Sequence, residues 1–535
     1  MGKASAWLGE VPPARWERHY GDRLVRCFAH RPSSAYQLLA EAAARRPNGE
    51  ALVCGEQRLD YAAFEAQVAR CAAGLRETGI GRGDRVALAL ANSATFPVLF
   101  FAVQRLGAIA VPIGVREQAD GIAYILRHSG ARLLVHDATL ADRLPPPEAT
   151  PTVIAWRAID PAAKFTDLPF AAADPDDAPP AAVDEDATAV ILYTSGTTGR
   201  PKGAMLTHLG LCHSAMHYEV AMRLTSADRT IAAVPFTHVT GLVGLILAMV
   251  RAAATLVVLP EFKAPAFLDL AARERMTHSL MVPAMYELCL RTPGFDPKAL
   301  ASWRIGGYGG AVMAPATIAR FAEMLPGLDL MNVYGATETT SPATMMPPAK
   351  TAARPDSVGR PVPCGQVLVM DEQGREVAPG EAGELWLGGP MVVPGYWSDP
   401  DATRENFSGG FWRSGDIGAK DAEGFVYLLD RKKDMINRGG YKVYSVEVEN
   451  VLMEHPGVVE AAVVAAPCPV LGERVRAVVV IDADMEPAEL VRHCAGRLAD
   501  YKVPEAFRLT RDPLPRNANG KLMKRNLRVD EGDWA

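Results

Sequence analysis

Leu192-Tyr-Thr-Ser-Gly-Thr-Thr-Gly-Arg-Pro-Lys-Gly203 follows an extended apolar run at 188–193 and precedes a stretch of helical patterning. Gly196, Gly199 and Gly203 let a backbone turn tightly and bring N–H groups up to an anion. Thr194, Ser195, Thr197 and Thr198 add hydroxyls, and Lys202 adds charge. Together they suit a phosphate chain. The stretch is not a Walker A loop, because no GxxxxGK[ST] occurs. A second glycine cluster, Gly79-Ile-Gly-Arg-Gly-Asp84, misses the GxGxxG spacing and reads as a helix-to-strand turn.

Outward from this loop, helical and extended patterns alternate: helical at 36–46, extended at 50–54, helical at 61–78, extended at 85–90, helical at 97–106 and extended at 108–111. Such alternation predicts α/β layers with largely parallel sheets. Residues 171–187, rich in acid, Pro and Ala, read as a surface linker, after which the alternation resumes to about 350. The apolar run 241–250 stops at Arg251, short of a membrane span, and reads as a buried helix followed by a strand at 254–259. Short Gly-punctuated strands at 366–370, 383–387 and 424–429 predict a small β-rich subdomain. Beyond 433, helical segments at 446–454 and 489–499 with strands at 458–466 and 474–481 predict a compact α+β unit. Leu490, Val491, Cys494 and Leu498 share one helical face there.

The expected architecture is therefore an N-terminal body 1–432, with α/β subdomains at about 1–180 and 181–350 and a β-rich one at 351–432. A C-terminal domain 433–535 follows.

Composition narrows the partners. The 535 residues are 49% hydrophobic, with 56 Lys+Arg against 62 Asp+Glu and a net charge of −6, which disfavours a dedicated nucleic-acid surface. Eight cysteines stand singly without CxxC spacing, as reduced core thiols do. The N-terminus lacks the apolar core of a signal peptide, so a cytoplasmic location is expected, and a homodimer is left open.

Several further motifs occur in order, and the chain resembles the adenylate-forming superfamily of acyl-CoA synthetases, beetle luciferases and nonribosomal adenylation domains over about 35–525. Gly309-Gly310-Ala311 and Asn332-Val333-Tyr334-Gly335-Ala-Thr337-Glu338-Thr339 are similar to segments that hold adenine and magnesium. Phe411-Trp-Arg-Ser-Gly-Asp416 and Asp430-Arg431 resemble those that hold ribose. Arg438-Gly439-Gly440-Tyr441 resembles the loop lining the thiol channel. Lys521, within Pro515-Arg-Asn-Ala-Asn-Gly-Lys521, matches the catalytic lysine, and Lys433 the hinge of a mobile C-terminal domain. The family's Gln-Gly is replaced by Asn332-Val333, and Thr237 stands where Phe is common.

What the resemblance implies is ATP-dependent conversion of a carboxylic acid to acyl-AMP with release of pyrophosphate, then transfer to the thiol of CoA. Tyr334 would stack on the purine. Glu338 would hold Mg²⁺ with Thr197, and Asp416 would accept from the ribose diol. Lys202 would grip phosphate, Lys521 would stabilise the transition state, and His238, at the family's aromatic or histidine position beside the acyl site, would complete the catalytic set with Glu338. The expected acyl pocket comprises Phe236, His238, Val239, Gly241, Gly306, Gly307, Tyr308 and Thr339. The stretches 236–242, 306–310 and 339–346 carry no Lys, Arg, Asp or Glu, which predicts an uncharged tail, fatty in the first instance and aryl in the second. Residues 236–241 lack an acid to pair an α-ammonium, which disfavours amino acids, and no carrier domain follows Lys521, which favours free CoA over a carrier protein. A non-catalytic relative is the opposing class. Lys202, Glu338, Asp416 and Lys521 are all present and argue against it.

Overall fold

The computed structural model describes residues 8, 10–164, 168, 170, 173–194, 200–311, 313–516, 522–528 and 534. The chain forms two compact units, one of residues 1–367, 386–413 and 423–426, the other of 368–385, 414–422 and 427–535.

In the first unit, a six-stranded sheet runs in the order Lys202–Thr207, Thr188–Thr194, Ile109–Pro112, Arg85–Ala89, Leu133–Asp137 and Ala155–Ile159. Only the Lys202–Thr207 edge is antiparallel. Arg85–Ala89 has parallel neighbours on both sides, so successive crossovers wind in opposite directions from it. A second sheet sets Asp329–Tyr334, Ile305–Tyr308, His278–Met281, Arg229–Ala232, Thr255–Val258 and Glu50–Cys54 in parallel. Gln57–Asp60 ends it antiparallel on one side, and on the other Thr344–Met345 and then Ser357–Pro361 extend it antiparallel.

Capping and burial explain the helices between the strands. Asp60 caps Tyr61–Glu77 by accepting from the Ala63 N–H at 2.7 Å, and Thr207 caps His208–Ala221 through the Gly210 N–H at 3.1 Å. Every residue of His208–Ala221 except Glu219 is buried, so this helix has no solvent face and its histidines must sit there neutral. His213 shows the arrangement: Nε2 accepts from the Phe28 N–H at 3.1 Å while Nδ1 donates to the Leu209 carbonyl at 2.9 Å.

The apolar run past residue 240 departs from an ordinary helix. It forms a π-helix over Thr240–Leu247 and passes into an α-helical turn at Ala248–Arg251. The acidic stretch is also more attached than a linker: the Arg105 guanidinium donates to the Ala178 carbonyl at 2.8 Å, and Ala178 is fully buried.

The second unit contains a sheet in the order Tyr441–Val443, Ile436–Arg438, Gly472–Ile481 and Val458–Cys468, with Ala506–Thr510 parallel to Gly472–Ile481. Helices Ser445–Met453 and Pro487–Ala495 pack Val448, Leu452, Leu490 and Cys494 on one face against Val463, Val475 and Val479. Val491 instead is 37% exposed, and Leu490 and Cys494 form the helix's buried seam. The other face of the sheet packs Val464, Val478, Leu514 and Leu527. All eight cysteines are free. Among the described residues no helix is long and apolar enough to cross a membrane.

Candidate active site

The glycine and threonine loop does not lead directly into a helix as its sequence suggests. Lys202–Thr207 returns as a strand antiparallel to Thr188–Thr194, with Lys202 opposite Thr194, and the helix begins only at His208. Gly203 permits the close pairing: a Cβ there would lie 2.7 Å from Ile191 Cγ2 and 3.3 Å from Tyr193 Cζ. Ser195, Gly196, Thr197, Thr198 and Gly199 lie outside the described residues.

The free edge of this hairpin is taken by residues 395–397. Met205 N–H donates to the Gly395 carbonyl at 3.2 Å, and Trp397 N–H to that of Gly203 at 2.7 Å. Tyr396 is thereby set beneath Lys202, whose ammonium stands 5.2 Å from the ring centroid. The Tyr396 hydroxyl donates to Glu338 Oε1 at 2.9 Å. Burial, reinforced by the Glu338 carboxylate, pushes the phenol well above its ordinary range, so Tyr396 remains the donor and Glu338 the acceptor. Lys202, Tyr396 and Glu338 thus form one polar column with Glu338 only 8% exposed.

Glu338 is presented by the turn Thr337–Thr339 after the strand Asp329–Tyr334. Thr339 is fully buried and its hydroxyl serves the turn, accepting from the Ala336 N–H at 2.9 Å and donating to the Ala336 carbonyl at 3.0 Å. Beside it Tyr308 aligns with Asn332 across parallel strands. Gly309 has no room for a side chain, since a Cβ would meet the Val333 carbonyl at 2.3 Å, and Gly310 takes φ +79°. Asn332 and Val333 are buried, Tyr334 is half-buried, and Gly335, Gly310 and Ala311 are exposed.

The expected acyl residues divide between core and rim. Phe236 is buried, with its N–H on Asn92 Oδ1 at 2.9 Å and its ring 5.5 Å from that of Phe96. His238 and Val239 are half-buried just before the π-helix, where Leu242 N–H donates to the His238 carbonyl at 2.9 Å. Gly241 packs so closely that a Cβ would lie 2.2 Å from the Pro235 carbonyl oxygen. Gly306 and Tyr308 share the strand face toward Tyr286, and Gly307 faces Leu280 and Met222.

In the second unit, Asp416 is buried and Arg431 Nε meets its Oδ1 at 2.8 Å. Ser414 turns the chain there, its hydroxyl accepting from the Asp416 N–H at 3.0 Å and donating to the Leu385 carbonyl at 2.7 Å. Arg438, Gly439, Gly440 and Tyr441 form a hairpin turn with φ +59° and +92° at the two glycines, a geometry that demands them. Arg438 is paired with Glu505 at 2.6 Å, and Tyr441 stacks on Tyr501 with centroids 4.7 Å apart. Lys433 is exposed, and Lys521 lies outside the described residues.

Two groups escape the sequence reading. Tyr396 is one; its only local signal is Pro394-Gly-Tyr-Trp397, because its partner Glu338 is 58 residues away. The other is a buried polar cluster of Asp430, Ser445, Glu449 and Lys524. A third assembly, Glu17, His19 and Cys27, brings ligand atoms within 4.8 Å of one another. Hydrogen bonding from Arg31 holds Glu17 down to about 2, and burial pushes the Cys27 thiol up to about 12, so Glu17 is committed to Arg31 and Cys27 stays a protonated thiol.

This fold and site define an adenylate-forming enzyme. The model of the AMP-binding enzyme family matches residues 39–397, and that of the AMP-binding enzyme C-terminal domain matches 447–521. The chain belongs to this family and is an AMP-forming acyl-CoA synthetase. It is 35% identical over 480 residues to the long-chain-fatty-acid–CoA ligase FadD13 of Mycobacterium tuberculosis, covering 88% of this chain and 93% of that one. It is 35% identical over 490 residues to the feruloyl-CoA synthase of an Amycolatopsis species, covering 90% and 96%. Among solved structures, the o-succinylbenzoate CoA synthetase of Bacillus subtilis in complex with ATP and a magnesium ion superposes with a TM-score of 0.81 at 29% identity, covering 93% of this chain and 99% of that one.

Proposed function

We propose that this synthetase activates a carboxylic acid with an uncharged tail and delivers it to free CoA, a medium- or long-chain fatty acid being the preferred substrate. The observation that carries the reading is the column of half-buried Lys202 over buried Tyr396 and Glu338 at the base of the hydroxyl and glycine loop.

In the first step a carboxylate oxygen attacks the α-phosphorus of ATP, the bond to the β-phosphate oxygen breaks, and pyrophosphate leaves. Loop N–H groups and Lys202 hold the β- and γ-phosphates, and Asp416 with Arg431 holds the ribose. Lys521 neutralises charge on the α-phosphoryl group. Glu338 is a hard-oxygen donor that fits Mg²⁺, with Thr197 as its hydroxyl partner, and the Tyr396 donor favours the ionised carboxylate. Bound there, Mg²⁺ would neutralise and polarise the phosphoryl oxygens.

In the second step the CoA sulfur attacks the acyl carbon, the bond to the AMP oxygen breaks, and the thiol proton passes to solvent. Rotation about Lys433 would exchange Lys521 for the Gly439-Gly440 turn. An aryl or arylalkanoic acid is the second reading, supported by the feruloyl-CoA synthase relative at the same identity.

The test is carboxylate-dependent pyrophosphate release over fatty, aryl, dicarboxylic and amino acids, with and without CoA. Fatty acids should turn over fastest and only with CoA in excess. Turnover of every acid that ignores CoA would replace free CoA by a carrier protein.

A further inference from the structure

We propose that Tyr218 is a positioning residue for Glu338, fixing through Ser341 the strained end of the turn that presents it. The inference rests on the reading of Glu338 as a magnesium ligand.

The turn ends under strain. Thr340 takes φ +50° and Ser341 φ +30°, two successive residues with side chains in the left-handed region that favours glycine. Thr340 is β-branched, for which this backbone is a true outlier. Such a conformation persists only where the surroundings over-determine it. Local bonds do part of this: the Thr340 N–H donates to the Thr337 carbonyl at 3.0 Å, the Ser341 N–H to that of Ala336 at 3.3 Å, and the Ala343 N–H to that of Tyr334 at 2.8 Å. These bonds close the turn on itself.

Contacts from elsewhere in the fold supply the rest. At the middle of the turn the Val393 N–H donates to the Glu338 carbonyl at 2.9 Å. At its end the Tyr218 hydroxyl shares a hydrogen bond with Ser341 Oγ at 3.0 Å. Tyr218 is fully buried and Ser341 buried, and among the described residues each hydroxyl has the other as its hydrogen-bond partner. The π-helix closes over the phenol, since a Cβ at Gly244 would lie 2.9 Å from its oxygen. Eight residues before Tyr218, on the same face of the helix His208–Ala221, Gly210 meets Thr340, and a Cβ there would lie 3.1 Å from Thr340 Oγ1. That helix starts where the strand Lys202–Thr207 ends, with Thr207 as its cap. One helix therefore runs from the strand of the phosphate lysine to the turn of the metal carboxylate.

Without the phenol hydroxyl, Ser341 Oγ is left buried and unpaired, and the end of the turn is free to relax toward ordinary φ. Glu338, three residues back, moves with it. Mg²⁺ demands close to ideal octahedral geometry, and groups that orient a ligand from behind are worth about 10- to 100-fold in metal affinity or activity.

The experiment measures by calorimetry the binding of α,β-methylene-ATP, whose α–β bridge cannot be cleaved, to the full chain with and without Mg²⁺. It compares wild type, Tyr218→Phe, Ser341→Ala, their double variant and Glu338→Gln. Tyr218→Phe should lose about 10-fold of the tightening that Mg²⁺ brings, while affinity without metal stays within about twofold. Ser341→Ala should do the same, and the double variant should lose no more than either, because one bond is deleted in all three. A folded Tyr218→Phe with undiminished tightening overturns the inference, as does equal loss with and without metal, which marks a general packing defect. Losses that add in the double variant also overturn it, because the two hydroxyls would then act separately. If wild type shows no tightening, or Glu338→Gln keeps it, Glu338 is no magnesium ligand and the underlying reading falls, this inference with it. Should Tyr218→Phe unfold, Ser341→Ala decides by the same criteria.

Discussion

Two loops carry the lysines proposed to meet phosphate, and they are built differently. The first rises from Thr194 and returns at Lys202 on a six-residue antiparallel ladder, and its outer edge is taken by 395–397. The second, between Arg516 and Leu522, has one isolated bridge at its base. Beside the long ladder, Lys202 is held by backbone pairing and has only the ring of Tyr396 beneath its ammonium. Beside the single bridge, the flanking residues are held by charges instead, Arg516 by Glu460 and Lys524 by Glu449.

The sharpest break is at the second loop. Lys521→Ala should reduce acyl-AMP formation by at least about 100-fold, the scale of losing one preorganised electrostatic group. Thioester formation from supplied acyl-AMP should be largely spared. Equal loss of the two half-reactions, measured separately, would remove Lys521 from the adenylation step.

The first loop should fail through its backbone. Gly203→Val places methyl groups where even a Cβ would already lie 2.7 Å from Ile191, so the ladder must part. Overpacking of this kind costs about 1–3 kcal/mol. Denaturant unfolding should show that loss, together with a raised KM for ATP; an unchanged midpoint would mean that the ladder does not hold the loop.

How much of this was legible follows from how local each signal is. The strand Thr188–Thr194 announces itself as an apolar run, and the turn glycines at 439 and 440 sit where positive φ is required. The return strand Lys202–Thr207 was hidden because its hydrogen-bonding partners, Thr194 on one side and Gly395 on the other, are not written in its own six residues. The π-helix was hidden for a related reason: the run at Thr240–Leu247 is apolar all round, which marks a buried helix but not its hydrogen-bond register. Tyr396 and Lys524 depend on partners 58 and 79 residues away, a separation that periodicity does not reach. The motif residues were legible because phosphate and ribose chemistry restricts residue types locally, whereas the groups that hold them in place are chosen by packing.

Tyr396 sharpens the comparison at smaller magnitude, since its ring and hydroxyl serve different partners. Tyr396→Phe keeps the ring beneath Lys202 and deletes the donor to Glu338, a hydrogen bond to a charged group worth about 1.5–3 kcal/mol. Acyl-AMP formation should fall about 10-fold. Tyr396→Leu removes both contacts and should fall further. If Phe and Leu behave alike, the ring contributes nothing to placing Lys202.

The effect that is smallest per group separates the two units by pH. In the first, burial lowers His208 to about 4, His213 to about 3 and His278 to about 4. An unfolded histidine titrates near 6.5, so between that value and the folded one the unfolded chain binds more protons, and stability is lost as pH falls. At pH 6 each such histidine removes about 0.8 kcal/mol, growing toward about 1.4 kcal/mol per further pH unit. In the second unit burial instead raises Asp430 and Glu449, with Lys524 opposing, so there the folded state takes up protons first and acid does not weaken it through these groups. Hydrogen exchange at matched intrinsic rates should show protection of the helix His208–Ala221 falling between pH 7.5 and 6 while that of Val458–Cys468 holds. A parallel fall in both would mean that the histidines of the first unit are not what acid attacks.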